Sequence, residues 1–285
     1  TSFTGEDSLD ISIDAGNAGA EGVAEFDLNS TADKLTVDGV SYSFPVGDKT
    51  SVLVGAQGTD GSAIFTTACT YGGPSNTLDD CGNVSSAFSS MSGSSVGVSY
   101  AVTDEFSIAA GYAGNGTDSA KGLMTSEGLD ATGFNAAYST DTYGLSVTYA
   151  SVETALAKPA GSYADSSVAL NGYFSPEGFP SISAGYEFVE VGGAGVNLDE
   201  KTSFFVGLQF DELGPGSGGI AMGTQGSITE GSDEALMYEV YYSYPMNDGM
   251  TVTPLIYVKE ATSGTDEDET GVMVKTSFSL SLIHI

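Results

Sequence analysis

Tyr143-Gly144-Leu145-Ser146-Val147-Thr148-Tyr149 is the stretch whose reading decides how this chain folds. Side chains along a strand alternate between two faces. Tyr143, Leu145, Val147 and Tyr149 therefore share one face, and Gly144, Ser146 and Thr148 the other. The alternation recurs at 96–100, 106–112, 134–138, 182–188, 204–210, 236–244, 252–258 and 272–278. The second face is mostly Gly, Ser, Thr, Ala and Asn, with an occasional charge such as Glu187, Glu239 or Lys275. It is too small and too polar to build a core. It suits the water-filled interior of a wide barrel whose apolar face meets lipid. Tyr100, Tyr112, Tyr138, Tyr143, Phe174 and Tyr244 stand at segment ends, where interfacial girdles would lie.

The joints between segments run short, long, short, long. The short ones are 45–50, 103–105, 140–142, 175–180, 214–217 and 245–249. The long ones are 59–93, 114–128, 151–165, 192–199, 226–234 and 260–268. A soluble sandwich has no need to place every long loop at one end. A membrane barrel does, because one rim faces the confined periplasm and the other the outside.

Strands are expected at 8–14, 22–29, 35–44, 50–57, 95–102, 106–113, 129–139, 143–150, 166–174, 181–191, 200–211, 218–225, 235–244, 250–259 and 269–280. Val37 and Val40 fall out of phase across Gly39, which marks a bulge. On the last hairpin, parity turns Val252, Pro254, Ile256 and Val258 outward, and Thr253, Leu255, Tyr257 and Lys259 inward. Bacterial single-chain barrels have even strand numbers. The expectation is an all-β, transmembrane, antiparallel up-and-down β-barrel of about 16 strands over residues 1–280, with Thr1–Phe3 the trailing end of one further strand. In the tail 281–285, Leu282-Ile-His-Ile285 lacks polar alternation and resembles translated adapter read-through, so no chemistry is expected of His284.

The chain has 285 residues, 38 acidic ones against seven lysines, no arginine and a net charge of -31. That balance argues against nucleic acid and against anionic headgroups as partners. It fits a cationic partner or a salt-rich setting. No run reaches the ~20 apolar residues of a transmembrane helix, which leaves open a barrel crossing with strands of ~9–11 residues. The two cysteines, Cys69 and Cys81, lie in loop 59–93 around Gly72, Gly73 and Pro74. A disulfide there would be worth roughly 3 kcal/mol in chain entropy and would imply an oxidising compartment. Zinc lacks partner ligands, since His284 is the only histidine.

Three motifs lead nowhere. Gly214, Gly216 and Gly219 match the dinucleotide fingerprint, but residues 220–225 beyond them are strand-like, and the fingerprint needs a helix there to meet the pyrophosphate. Gly93-Ser-Ser-Val-Gly97 has the nucleophile-elbow spacing without a helix or a base. The acidic run 265–270 lacks the spaced ligands and central glycine of a calcium loop. No catalytic constellation and no cofactor site emerges, so the chain reads as a non-enzyme.

Several stretches taken in order resemble a known family. They are Thr1-Ser-Phe-Thr-Gly5, Val40-Ser-Tyr-Ser-Phe-Pro-Val-Gly47 with Ser51-Val-Leu-Val-Gly55, and Val98-Ser-Tyr100 leading through Asp104 to Phe106-Ser-Ile-Ala-Ala-Gly-Tyr112. Tyr241–Tyr244 with Met250-Thr-Val-Thr-Pro254, and Gly271-Val-Met-Val-Lys-Thr-Ser-Phe278, complete the set. Together they resemble the cyanobacterial branch of the OprB-type porins, the iron uptake porins, over most of the chain. The resemblance implies an outer-membrane porin, with outer-membrane lipid around it, small inorganic ions including iron species as permeants, and a homotrimer as its assembly. Members carry a surface-layer-homology domain and a coiled coil before the barrel, and arginines within it. This sequence shows none of these, which removes any arginine-lined anion or sugar site.

The expected function is passive diffusion through a water-filled lumen, with selectivity set by width and lining charge. The absence of arginine points to cations. Loop 59–93 is the natural constriction, folded inward and stiffened by Cys69 and Cys81, with Asp60, Asp79 and Asp80 as its acidic candidates. Glu187, Glu239, Lys259 and Lys275 are candidates for the wall. One alternative is a saccharide channel, which would need inward aromatics; parity offers Tyr173, Phe205, Tyr241 and Tyr257. Another is a soluble acidic secreted β-protein with an adhesive or structural role.

Overall fold

The structure is a computed structural model that describes residues 3–16, 31–59, 61–84, 93–115, 129–153, 164–191, 200–262 and 267–279. Its strands are β1 (Ser8–Asp14), β2 (Thr36–Val46), β3 (Thr50–Thr59), β4 (Gly93–Ala101), β5 (Phe106–Asn115), β6 (Leu129–Ser139), β7 (Tyr143–Glu153) and β8 (Ala164–Phe174). They continue as β9 (Ser181–Glu190), β10 (Glu200–Leu213), β11 (Gly216–Thr224), β12 (Ile228–Thr229), β13 (Leu236–Asn247), β14 (Met250–Lys259) and β15 (Glu269–Phe278). One short 3-10 turn, Gly61–Ile64, comes after β3. No described helix is long and apolar enough to cross a membrane.

All fifteen strands join one antiparallel sheet in sequence order, with β12 off the path and paired to β10. Apart from β12, each strand pairs with its neighbours along this order, an up-and-down meander. Among the described residues β1 and β15 each have one partner, so the sheet keeps two edges. The expected strand at 22–29 lies outside the described residues. The described strands on either side of it, β1 and β2, pair directly, Leu9 with Tyr42 and Ile11 with Val40. The two-residue β12 is a strand the sequence did not announce, being too short to leave a periodic signal. The bulge falls where expected: Ser12 pairs with Gly39 and Ile13 with Val37, leaving Asp38 over.

Burial along the strands is inverted relative to a soluble protein. In β7, Leu145 is 64% exposed and Ser146 only 6%. In β9, Ile182, Tyr186 and Phe188 are exposed, while Ser181, Ser183 and Glu187 are buried. The exposed apolar set runs from Ile11 on β1 through Val98, Ile108, Phe134, Val168, Val206, Ile220, Val240 and Ile256 to Val274 on β15. Soluble monomers rarely expose contiguous apolar patches beyond a few hundred Å². A face of this kind, carried on strands whose backbone groups bond within the sheet, suits hydrocarbon.

The buried polar face is concave. Tyr71 and Leu78, from loop 59–93, pack in one cluster with Phe205 on β10, Ala221 on β11, Met237 and Tyr241 on β13, Leu255 and Tyr257 on β14, and Met273 on β15. The same loop's 3-10 turn packs on β3, β4 and β5. A flat sheet could not bring one short loop against strands so far apart in order, so the sheet curls around it.

The short turns share one rim, as the meander requires. Thr103 Oγ1 accepts from the Glu105 and Phe106 amides at 3.3 and 3.0 Å. Thr140 Oγ1 accepts from Thr142 and Tyr143 at 3.3 and 3.0 Å. Such side-chain bonds are how Ser and Thr favour turns. Tyr100, Tyr138, Tyr143, Phe174 and Tyr244 are exposed at this rim. Tyr138 and Tyr143 stack with centroids 5.8 Å apart, as girdle residues would. Of the dinucleotide-like glycines, Gly214 forms the β10–β11 turn with φ 65°, and Gly216 and Gly219 lie in β11, paired with Leu213 and Gln209.

Candidate functional site: the loop inside the sheet

Loop 59–93 is the site, and small residues admit it. Gly61 lies so close to β4 and β5 that a Cβ would stand 2.5 Å from the Tyr112 amide nitrogen and 2.6 Å from the Val96 carbonyl oxygen. Those strands answer with Gly97 and Gly111 directly beneath. Phe65 then packs on Ala113, Ala131 and Ala150, a floor of methyl groups across β5, β6 and β7.

Beyond Phe65 the loop is held by polar side chains of the inner wall, one strand after another. Asn135 on β6 grips Thr66 from both sides: its Oδ1 accepts from the Thr66 amide and its Nδ2 donates to the Thr66 carbonyl, each at 3.1 Å. Ser146 Oγ on β7 accepts from the Ala68 amide at 2.9 Å. Ser183 Oγ on β9 accepts from the Thr70 amide at 2.9 Å. Gln209 Oε1 on β10 accepts from the Gly72 amide at 3.3 Å. Tyr71 donates its hydroxyl to Glu239 Oε1 on β13. Burial first, and the Glu239 carboxylate second, push the Tyr71 hydroxyl far above its ordinary range, so it remains a donor.

The loop returns through a second set of anchors. Leu78 fills the space above Gly223 on β11. Asn171 Nδ2 on β8 donates to the Cys81 carbonyl at 2.8 Å, and Ser203 Oγ on β10 donates to the Gly82 carbonyl at 2.8 Å. Gly185 on β9 leaves room for the Cys81 carbonyl, which a Cβ there would strike. Asn83 Nδ2 donates to Thr67 Oγ1 at 3.2 Å, tying the return strand of the loop to its outward one. Cys69 and Cys81 are bridged in the structure, with Cα atoms 6.5 Å apart. The bridge closes the lobe that carries Tyr71 and Leu78. If it forms in the isolated protein, neither Cys69 nor Cys81 should be alkylated before reduction, and both after it. Mass measurement distinguishes this from two free thiols.

The alternation alone assigns the small polar face to water. Across β6 to β13 that face instead receives the loop. Asn135, Ser146, Asn171, Ser183, Ser203 and Gln209 are all buried. Side-chain amides at inward positions among Gly and Ser were the available signal, since an amide both donates and accepts and so suits a backbone partner.

The candidate charges fall in different places. Glu187 and Glu239 are buried under the loop, at 0% and 3% exposure. The Ser203 hydroxyl lies 3.3 Å from Glu187 Oε2. A solute in water cannot touch either carboxylate there. Lys259 is half-buried and Lys275 exposed. Asp79 is exposed and Asp80 half-buried, both on the disulfide-closed lobe. Asp60 lies outside the described residues. Among the described residues no group of His, Cys, Asp and Glu could hold a metal ion.

Solved structures share this architecture. The anion-selective porin from Comamonas acidovorans superposes with a TM-score of 0.60 at 13% identity, covering 96% of this chain and 99% of that one. The outer-membrane channel DcaP of Acinetobacter baumannii gives 0.56 at 12% identity, covering 98% and 99%. OprB of Pseudomonas putida gives 0.56 at 13% identity, covering 86% and 72%. The fold is that of outer-membrane porins. No family model and no curated protein sequence matches the chain.

Proposed function

We propose that this chain forms an outer-membrane porin, a water-filled channel for passive diffusion of small solutes that prefers cations, with inorganic ions including iron species as its permeants. The observation that carries the reading is the inverted burial. Apolar side chains face outward on nearly every strand, and polar side chains face inward onto a loop that enters the concave side. A protein built to bind or react in water gains nothing from that arrangement. A channel needs both halves of it. The resemblance to the iron uptake porins supports the inorganic permeant and the trimer.

Loop 59–93 is the constriction in this reading, with Asp79 and Asp80 on the lobe closed by Cys69 and Cys81. Its anchors are hydrogen bonds to backbone amides and carbonyls, which set its height in the lumen. The chain has no arginine and a net charge of -31, so its field enriches cations at the mouth. The anion selectivity of the Comamonas porin belongs to that protein; what the two share is fold.

The saccharide channel is disfavoured by where three of the four inward aromatics lie, the fourth, Tyr173, being half-buried with its hydroxyl on the Thr140 carbonyl of a short turn. Phe205, Tyr241 and Tyr257 are buried in the cluster with Tyr71, at 1%, 5% and 1% exposure, so no sugar ring can stack on them. The soluble secreted protein is disfavoured by the outward apolar face. Detergent partitioning separates it from the porin: the channel should fractionate with outer membranes and need detergent to stay dispersed.

Planar-bilayer recording tests the rest. In a tenfold KCl gradient the reversal potential should take the sign of potassium permeation. The preference should shrink as salt rises, because charges beyond ~8 Å are screened at physiological ionic strength. Changing Asp79 and Asp80 to Asn should reduce it. A potential near zero, or of chloride sign, would reject cation preference and leave the barrel standing.

A further inference from the structure

We infer that Asp10, on the inner face of β1, is the wall carboxylate of the permeation path, and that hydrated cations pass along β1 and β2 rather than along the wall that carries Glu187 and Glu239. The inference rests on the porin reading and locates the passage within it.

Parity across the ladders places Asp10 on the loop's face of the sheet. Asp10 pairs with Ser41, Ser41 with Gly55, and Gly55 with Ser95. Directly paired residues point to the same side of a sheet. A Cβ on Gly55 would meet Thr59 and Ser95 side chains, and Ser95 Oγ lies 3.0 Å from Thr59 Oγ1 at the point where the chain leaves β3 for the loop. The flanking residues Leu9 and Ile11 take the other side, opposite Tyr42 and Val40. Ile11 is 54% exposed there, with the rest of the apolar band.

The loop covers the inner face unevenly. Its 3-10 turn sits over β3 to β6, its anchors run from β6 to β13, and its core cluster reaches β15. The inner faces of β1 and β2 keep their accessibility: Asp10 and Ser12 are exposed, and Ser8, Ser41 and Ser43 half-exposed. A passing ion therefore meets hydroxyls and the exposed Asp10 carboxylate along this wall, with the half-buried Asp14 on the same face at the far end of β1. The Ser8 hydroxyl donates to Asp10 Oδ2 at 2.8 Å, which holds the carboxylate in place on this face. Serine hydroxyls can hydrogen-bond an ion's hydration water without stripping it. A charged group beside the path acts more strongly on the permeant than the many carboxylates at loop tips.

The test uses single channels of the full chain in a tenfold KCl gradient. Asp10→Asn should lower the cation-to-anion permeability ratio by roughly twofold or more. Asp10→Cys should behave like Asp10→Asn. An anionic methanethiosulfonate should restore its cation preference, and a cationic one should lower it further and cut the current. Ser41→Cys, paired with Asp10 in the ladder, provides a second variant that removes no charge, and its current should fall with either reagent. An unchanged ratio in Asp10→Asn, or currents in both cysteine variants that ignore the reagents, would overturn the inference while leaving a cation-preferring wild-type channel intact. A wild type that forms no channel would instead overturn the porin reading beneath it.

Discussion

Replacing Ile256 with arginine should destabilise the protein in lipid by about 2–4 kcal/mol, the cost of an arginine on the lipid face of a barrel near the bilayer midplane. Ile256 lies in the middle of β14 and is 51% exposed, while Leu255 and Tyr257 beside it are buried at 1% each. Its cross-strand partners are Val240 on β13 and Val272 on β15, both exposed and apolar. The guanidinium would have no acidic neighbour in that row, and hydrocarbon offers no water to replace one. Urea titrations of the folded protein in phospholipid vesicles measure the loss. Wild-type stability in the variant would mean that this face does not meet lipid, and the membrane-spanning reading of β14 would fall with it.

Gly185→Ala should dislodge the loop without unfolding the sheet. The new Cβ would point into the Cys81 carbonyl and stand 2.5 Å from Asn171 Nδ2, the donor that holds that carbonyl. Something must move, and the loop is the softer side, because β9 is laddered to β8 and β10 over nearly its whole length. The strain is of the overpacking kind, about 1–3 kcal/mol. Lifting Cys81 also draws Gly82 away from Ser203 and Leu78 out of its cluster. Two readouts should change together: proteolysis within 61–84, which the wild type should resist, and a larger and noisier single-channel current. A variant with wild-type resistance and conductance would show that this anchor does not set the loop's position.

Those two substitutions probe features of different legibility. Ile256 was readable as outward from the alternation of 252–258 alone. The alternation works because a strand has only two faces, and lipid and water sort side chains between them all along each strand. Gly185 was not readable. Nothing near it in the chain announces that Cys81, far away in sequence, brings a carbonyl onto its Cα.

Local pattern and turn spacing determined the strand segments, the meander, the outward apolar band, the bulge at Gly39 and the long loop that carries both cysteines. All of these depend on side-chain period, glycine or loop length, which neighbouring residues settle. What the polar face does was decided only by tertiary structure. Serine and asparagine look alike to the eye whether they meet water or another backbone. Asn135, Ser146, Asn171 and Ser183 became anchors because the curl of the sheet brings loop 59–93 within hydrogen-bonding distance of them. The same curl buries Glu187 and Glu239 and leaves Asp10 open, a distinction made by where one loop lies on a wall whose residues are otherwise equivalent in parity.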